Sequence, residues 1–115
     1  MTRAPHRAAT SAAQPIRLRC ADGRELAAHW VPSPARRAVL VINPATGFPQ
    51  TFYFRLASYA SERGYDALVY DYRGMGASAP ARLAEETCRM SDWGLFDMRT
   101  ALAEAAAREI GRAHV

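Results

Sequence analysis

Hydrophobic and polar positions fall into distinct periods along this chain, and each period predicts an element. Ile16-Arg17-Leu18-Arg19-Cys20 alternates at period two. The alternation resumes from Glu25 to Val31, with Leu26, Ala28 and Trp30 on one side. Between the two runs stands Asp22-Gly23, a pair suited to the positive-φ positions of a tight turn, so the two runs read as a hairpin. Pro32-Ser33-Pro34 ends it. Val39-Leu40-Val41-Ile42 is a continuous apolar run stopped by Asn43-Pro44, since proline has no N–H for a ladder. After Gly47-Phe48-Pro49, Thr51 to Arg63 takes helical spacing, with Phe52, Leu56, Tyr59 and Ala60 on one face. Gly64 sits where a left-handed C-cap belongs. Asp66 to Tyr70 is a second apolar run. Strand, helix, strand of this length is a βαβ unit, and unbroken apolar strands suit a sheet covered on both faces.

Pro80 to Cys88 is polar and irregular. Ser91 or Asp92 can cap a further helix running to about Arg108. Its apolar stripe is Leu95, Met98, Leu102 and Ala105, and it reads as core packing. Met1 to Pro15 holds Ala, Thr, Ser, Pro and Arg, has no acidic residue and lacks the apolar stretch of a secretory signal, so residues 1–15 are expected to form a disordered tail. Ile110 to Val115 reads as a translated sequencing adapter. Residues 109–115 are therefore expected to be foreign to the gene, and 16–108 to be the first part of a longer domain.

The two loops after the apolar strands carry the candidate chemistry, because ligands of open α/β sheets bind outside the carboxyl ends of strands. One loop is Asn43-Pro44-Ala45-Thr46-Gly47. The other holds Asp71-x-Arg73-Gly74-x-Gly76-x-Ser78. Taken together, these motifs resemble the α/β-hydrolase superfamily, in particular small predicted hydrolases related to the serine aminopeptidase group. The resemblance covers roughly Ile16 to Arg108. It implies an α/β fold, the N-terminal part of an α/β-hydrolase sheet, with an antiparallel hairpin ahead of parallel strands joined by crossover helices. One departure stands out: Asn43-Pro44 occupies the place where many members have His-Gly.

Composition narrows the alternatives. The net charge is +4, and all 15 basic residues are arginine. Four of them precede Cys20 and one follows Arg108, so Cys20 to Arg108 carries ten arginines against ten acidic residues. A nucleic-acid surface needs basic residues clustered on one face, and only the ends are basic, so no nucleic-acid partner is expected. No apolar run is long enough to cross a bilayer, so no membrane partner is expected and a cytoplasmic location is the reading. Cys20 and Cys88 lie far apart without a C-x-x-C. They read as two free thiols, not as a metal site, although a disulfide stays open.

The resemblance implies a serine hydrolase acting on a small-molecule ester or amide by acyl transfer, with no cofactor. In that fold the nucleophile stands in G-x-S-x-G, followed by an acid and then a histidine. None of the six serines (11, 33, 58, 61, 78, 91) stands in that motif. His6 lies in the tail, His114 in the adapter-like end, and His29 is expected to face solvent. No catalytic residue is therefore assigned to this chain. What it offers is one side of an oxyanion hole, with the backbone N–H of Ala45 as first candidate and of Thr46 as second. Pro44 and Gly47 could equally be there to make a tight turn. Asn43, Asp71, Arg73, Gly74, Gly76 and Ser78 read as structural loop residues, Asp71 and Arg73 bracing the loop by hydrogen bonds. No metal site is expected. Two other readings stay open: a non-catalytic α/β module binding a ligand or partner, and a dinucleotide site at Gly74-Met75-Gly76-Ala77-Ser78-Ala79, which would need a helix N-terminus directly after it.

Overall fold

A computed structural model describes residues 13–34, 38–45, 47–80, 86 and 88–113. Four strands, β1 (Gln14–Arg19), β2 (Glu25–Val31), β3 (Ala38–Ile42) and β4 (Tyr65–Tyr70), make one sheet in the order β1-β2-β4-β3. β1 and β2 form the antiparallel hairpin across Asp22-Gly23, and β2 is also antiparallel to β4. β3 and β4 run parallel, with Ala38 opposite Tyr65 and Ile42 opposite Val69. The fold class is the α/β arrangement that the strand patterns predict. β1 starts at Gln14, two residues ahead of the expected point, while residues 1–12 lie outside the described ones.

The β3–β4 crossover is a short 3₁₀ turn, Gln50–Tyr53, followed by α1 (Phe54–Glu62). Gly64 has φ +98°, the left-handed C-cap that a side chain would resist. The last helix, α2, spans 90–113. It comprises Met90–Asp92, a π-helical stretch Trp93–Met98, and Arg99–Ala113. Its start is capped by the Asp92 carboxylate, which accepts from the Arg89 N–H at 3.0 Å. It continues five residues past the expected end at Arg108, because alanines favour the helix and one interior glycine costs only about 1 kcal/mol.

Alternation along β4 divides the core in two. Leu68 and Tyr70 pack with Leu18, Leu26, Ala28, Trp30 and Ala101 on the α2 side. Ala67 and Val69 pack with Val31, Ile42 and Ala57 on the α1 side. Fully burying each of these large side chains stabilises by about 1.5–3 kcal/mol.

The apolar stripes read from the helices point the wrong way. Phe52, Leu56 and Tyr59 are exposed, and so are Leu95 and Leu102, while Met98 is half-buried. The sheet is met instead by Ala57, Ser58, Ala60 and Ser61 on α1 and by Ala101 and Ala105 on α2. Only Ala60 and Ala105 of the expected stripes are buried. Small side chains let a helix axis approach the sheet, and periodicity cannot tell which of two apolar faces does so. Among the described residues β3 has no partner on its outer side, and Leu40 there is 36% exposed.

Candidate functional site

Because β3 and β4 are parallel, the loops that follow them leave the sheet at the same end. Asn43 and Arg73 therefore stand on the same rim of the sheet. Three groups of side chains hold that rim in place.

The first is centred on Asp71, 1% exposed. Its carboxylate accepts from the Gln50 backbone N–H (2.7 Å), the Gln50 Nε2 (2.8 Å) and the Ala77 N–H (3.0 Å). One buried charge thus clamps the segment after β3 to the turn after β4, with hydrogen bonds supplying what burial takes from water. Gly76, at φ +47°, lies so close that a Cβ would stand 2.7 Å from the same carboxylate. Ser78 is buried; its Oγ accepts from the Ala27 N–H (2.9 Å) and donates to the Asp71 carbonyl (2.8 Å). The Gly74 N–H reaches the Ser78 carbonyl at 3.4 Å. His29 departs from expectation. It is half-buried, with Nδ1 3.0 Å from Gln50 Oε1 and its ring edge-on to Phe54. Gln50, a residue with no motif around it, recruits it.

The second group is centred on Arg73, 4% exposed. Its Nε donates to Asp97 Oδ1 (2.8 Å), and its backbone N–H donates to Asp97 Oδ2 (2.8 Å). Its two terminal nitrogens fork onto Asp22, at 2.6 and 3.2 Å. The pairing with Asp22 raises the guanidinium pKa and holds the Asp22 carboxyl below its ordinary value. Trp93 donates from Nε1 to the Arg73 carbonyl (3.2 Å) and stacks flat on Tyr72. Asp97 and Trp93 both come from the π-helical stretch. Cys20 Sγ lies 3.6 Å from Asp97, and burial pushes that thiol's pKa up. Cys20 and Cys88 are both free thiols.

The third group is the loop after β3. Asn43 is exposed, and its Oδ1 accepts from the Tyr70 hydroxyl, whose pKa burial drives up. The exposed Ala45 N–H donates to Tyr53 Oη at 2.8 Å. Thr46, the second oxyanion candidate, lies outside the described residues. The Phe48 N–H closes the turn on the Ala45 carbonyl at 3.1 Å.

After Gly74 and Gly76 comes a 3₁₀ turn of three residues, Gly76–Ser78. The next helix among the described residues begins at Met90, so no described helix opens directly after those glycines, as the dinucleotide fingerprint requires. Among the described residues no cluster of three His, Cys, Asp or Glu could hold a metal ion. No helix there is long and apolar enough to cross a membrane.

A solved structure, the α/β hydrolase GrgF from Penicillium sp. sh18, superposes with a TM-score of 0.53 at 27% identity. The fold is α/β-hydrolase-like. The match takes in 56% of this chain and 23% of that one, so the α/β-hydrolase-like region corresponds to under a quarter of the similar protein. No family model matches the chain, and no curated protein matches it.

On the hairpin side of this α/β-hydrolase-like sheet, Arg24 pairs with Glu86 beside a cleft of about 410 Å³ lined by Arg17, Ser78 and Pro80. That pairing lowers the Glu86 pKa from 4.5 to about 2. A depressed carboxyl stabilises the fold fully above its unfolded value and loses that contribution as pH falls through its folded value. The thermal midpoint is therefore expected to fall between pH 4.5 and about 2, and Glu86→Gln to flatten that part of the curve. Thermal melts at half-unit pH steps check it.

Proposed function

We propose that this chain is the N-terminal part of a serine hydrolase that cleaves a small-molecule ester or amide by acyl transfer. The observation that carries this reading is the likeness of 56% of the chain to part of an α/β hydrolase, together with two loops that leave the parallel strands at the same end. In such an enzyme a serine attacks the carbonyl, a histidine takes its proton, and backbone donors meet the oxyanion. In this reading the donor on the β3 side belongs to the loop from Asn43 to Gly47, through Thr46 or through Ala45, whose N–H bears on the Tyr53 hydroxyl. Asp71 acts on that chemistry indirectly, by fixing the two loops relative to each other, and Arg73 by tying the loop after β4 to the hairpin turn and to α2. The nucleophile, the acid and the histidine come from sequence beyond Arg108, and no cofactor takes part.

The experiment is to read the gene past the codon for Arg108 from an independent genomic copy. A strand running into G-x-S-x-G supports the reading. A frame that continues without one favours a non-catalytic binding module. For the 115-residue chain by itself, no turnover of p-nitrophenyl acetate or butyrate above the buffer rate is expected. A burst of p-nitrophenol stoichiometric with the chain would contradict the placing of the nucleophile downstream.

A further inference from the structure

The contact between Ala45 and Tyr53 bears on which donor this rim has to offer. The Ala45 N–H, exposed at the end of β3, is already taken by the Tyr53 hydroxyl oxygen at 2.8 Å. Tyr53 is the last residue of the 3₁₀ turn, half-buried, with Phe52 edge-on against it at 5.1 Å. A hydroxyl that accepts through its oxygen keeps its hydrogen to give. Among the described residues the Tyr53 hydroxyl has no acceptor.

We propose that the Tyr53 O–H is the donor this chain presents to the substrate's developing oxyanion, with the Ala45 N–H holding and polarising it from behind. The proposal rests on the serine-hydrolase reading above. When the nucleophile's oxygen adds to the carbonyl carbon, the π electron pair moves onto the carbonyl oxygen and the nucleophile's proton passes to the general base. Tyr53 keeps its own proton and gives a hydrogen bond to the new O⁻. As the carbon–leaving-group bond breaks, the leaving group takes the proton from the general base, the pair returns to the carbonyl and the bond to Tyr53 weakens. Hydrogen bonds in series strengthen one another, so the N–H that binds the phenol oxygen makes its O–H a better donor. A donor meeting charge that appears only in the transition state accelerates the reaction without tightening substrate binding.

The test compares wild type with Tyr53→Phe in the full-length product of the reading frame. Loss of one oxyanion donor lowers kcat by about 10²-fold. That fall is expected with KM and thermal midpoint nearly unchanged. A trifluoromethyl ketone inhibitor, which becomes a tetrahedral oxyanion on the nucleophile, should weaken by a similar factor, whereas an unreactive ether isostere of the substrate should bind equally well. If Tyr53→Phe also lowers the melting temperature, the split between the two ligands still decides the matter, since disorder would weaken both. An unchanged or raised kcat in Tyr53→Phe would overturn the proposal and return the role to the Ala45 N–H, with Tyr53 as a cover. A full-length wild type that turns over neither esters nor amides would instead overturn the hydrolase reading, a result readily told apart from the first.

Discussion

Arg73→Gln is expected to take away most of the chain's stability at 25 °C and to bring it close to its unfolding midpoint. The guanidinium is 4% exposed and Asp97 is 0% exposed, so removing the cation leaves a carboxylate in the interior with no counter-charge. Breaking a buried pair from one side costs about 3–5 kcal/mol. Domains have about 5–15 kcal/mol in total, and small ones sit at the low end. Arg73→Lys is expected to rescue only part of the loss. A single ammonium cannot reproduce the fork onto Asp22 together with the Nε bond to Asp97. The double variant Arg73→Met with Asp97→Leu should be far closer to wild type than either single change, because it removes both charges at once. Urea unfolding followed by far-ultraviolet circular dichroism measures all four proteins. A single variant with a wild-type midpoint would show that the pair adds nothing to the fold.

Asp71→Ala is the second large effect, at about 3 kcal/mol, and it acts on the rim more than on the core. Three donors lose their acceptor, two from Gln50 and one from Ala77. Each unsatisfied buried donor costs about 1–3 kcal/mol, less whatever water can reach. Asp71→Asn should be milder, since its one remaining oxygen keeps some of these bonds while its NH₂ turns toward a donor. Because the carboxylate joins the segment after β3 to the turn after β4, amide exchange is expected to quicken at Gln50 and Ala77 together. Exchange rates from ¹H–¹⁵N spectra of the two variants check this, and a change confined to one of the two loops would refute the clamp.

The strands could be read from the sequence, and the hydrogen-bonded hubs could not. β2 has the bounds that alternation predicts, with Leu26, Ala28 and Trp30 on the buried side, because a half-covered strand writes its own period into the chain. Gly64 was equally legible, since a left-handed cap has few alternatives to glycine. The helix faces were not. Phe52, Leu56 and Tyr59 are the large apolar residues of the expected face, yet of that face only Ala60 meets the sheet, beside Ala57 from outside it. Asp22 and Asp97 join Arg73 from 51 and 24 residues away, and no local pattern foretells such a meeting. Gln50 was missed for the same reason, and His29 with it, as its orientation follows from that amide. The π-helical stretch leaves no distinct mark in a period of 3.6.

The placement of the two tryptophans makes the chain its own optical probe. Trp93 lies flat on Tyr72, 8° from parallel, with its indole N–H bound to the Arg73 carbonyl. Trp30 lies under the Arg108 guanidinium within the sheet core. Emission from Trp93 therefore follows detachment of the 90–98 segment, and emission from Trp30 follows loss of the sheet. Replacing either by phenylalanine separates the two colours, so that fraying at the rim can be watched by fluorescence before the strands come apart.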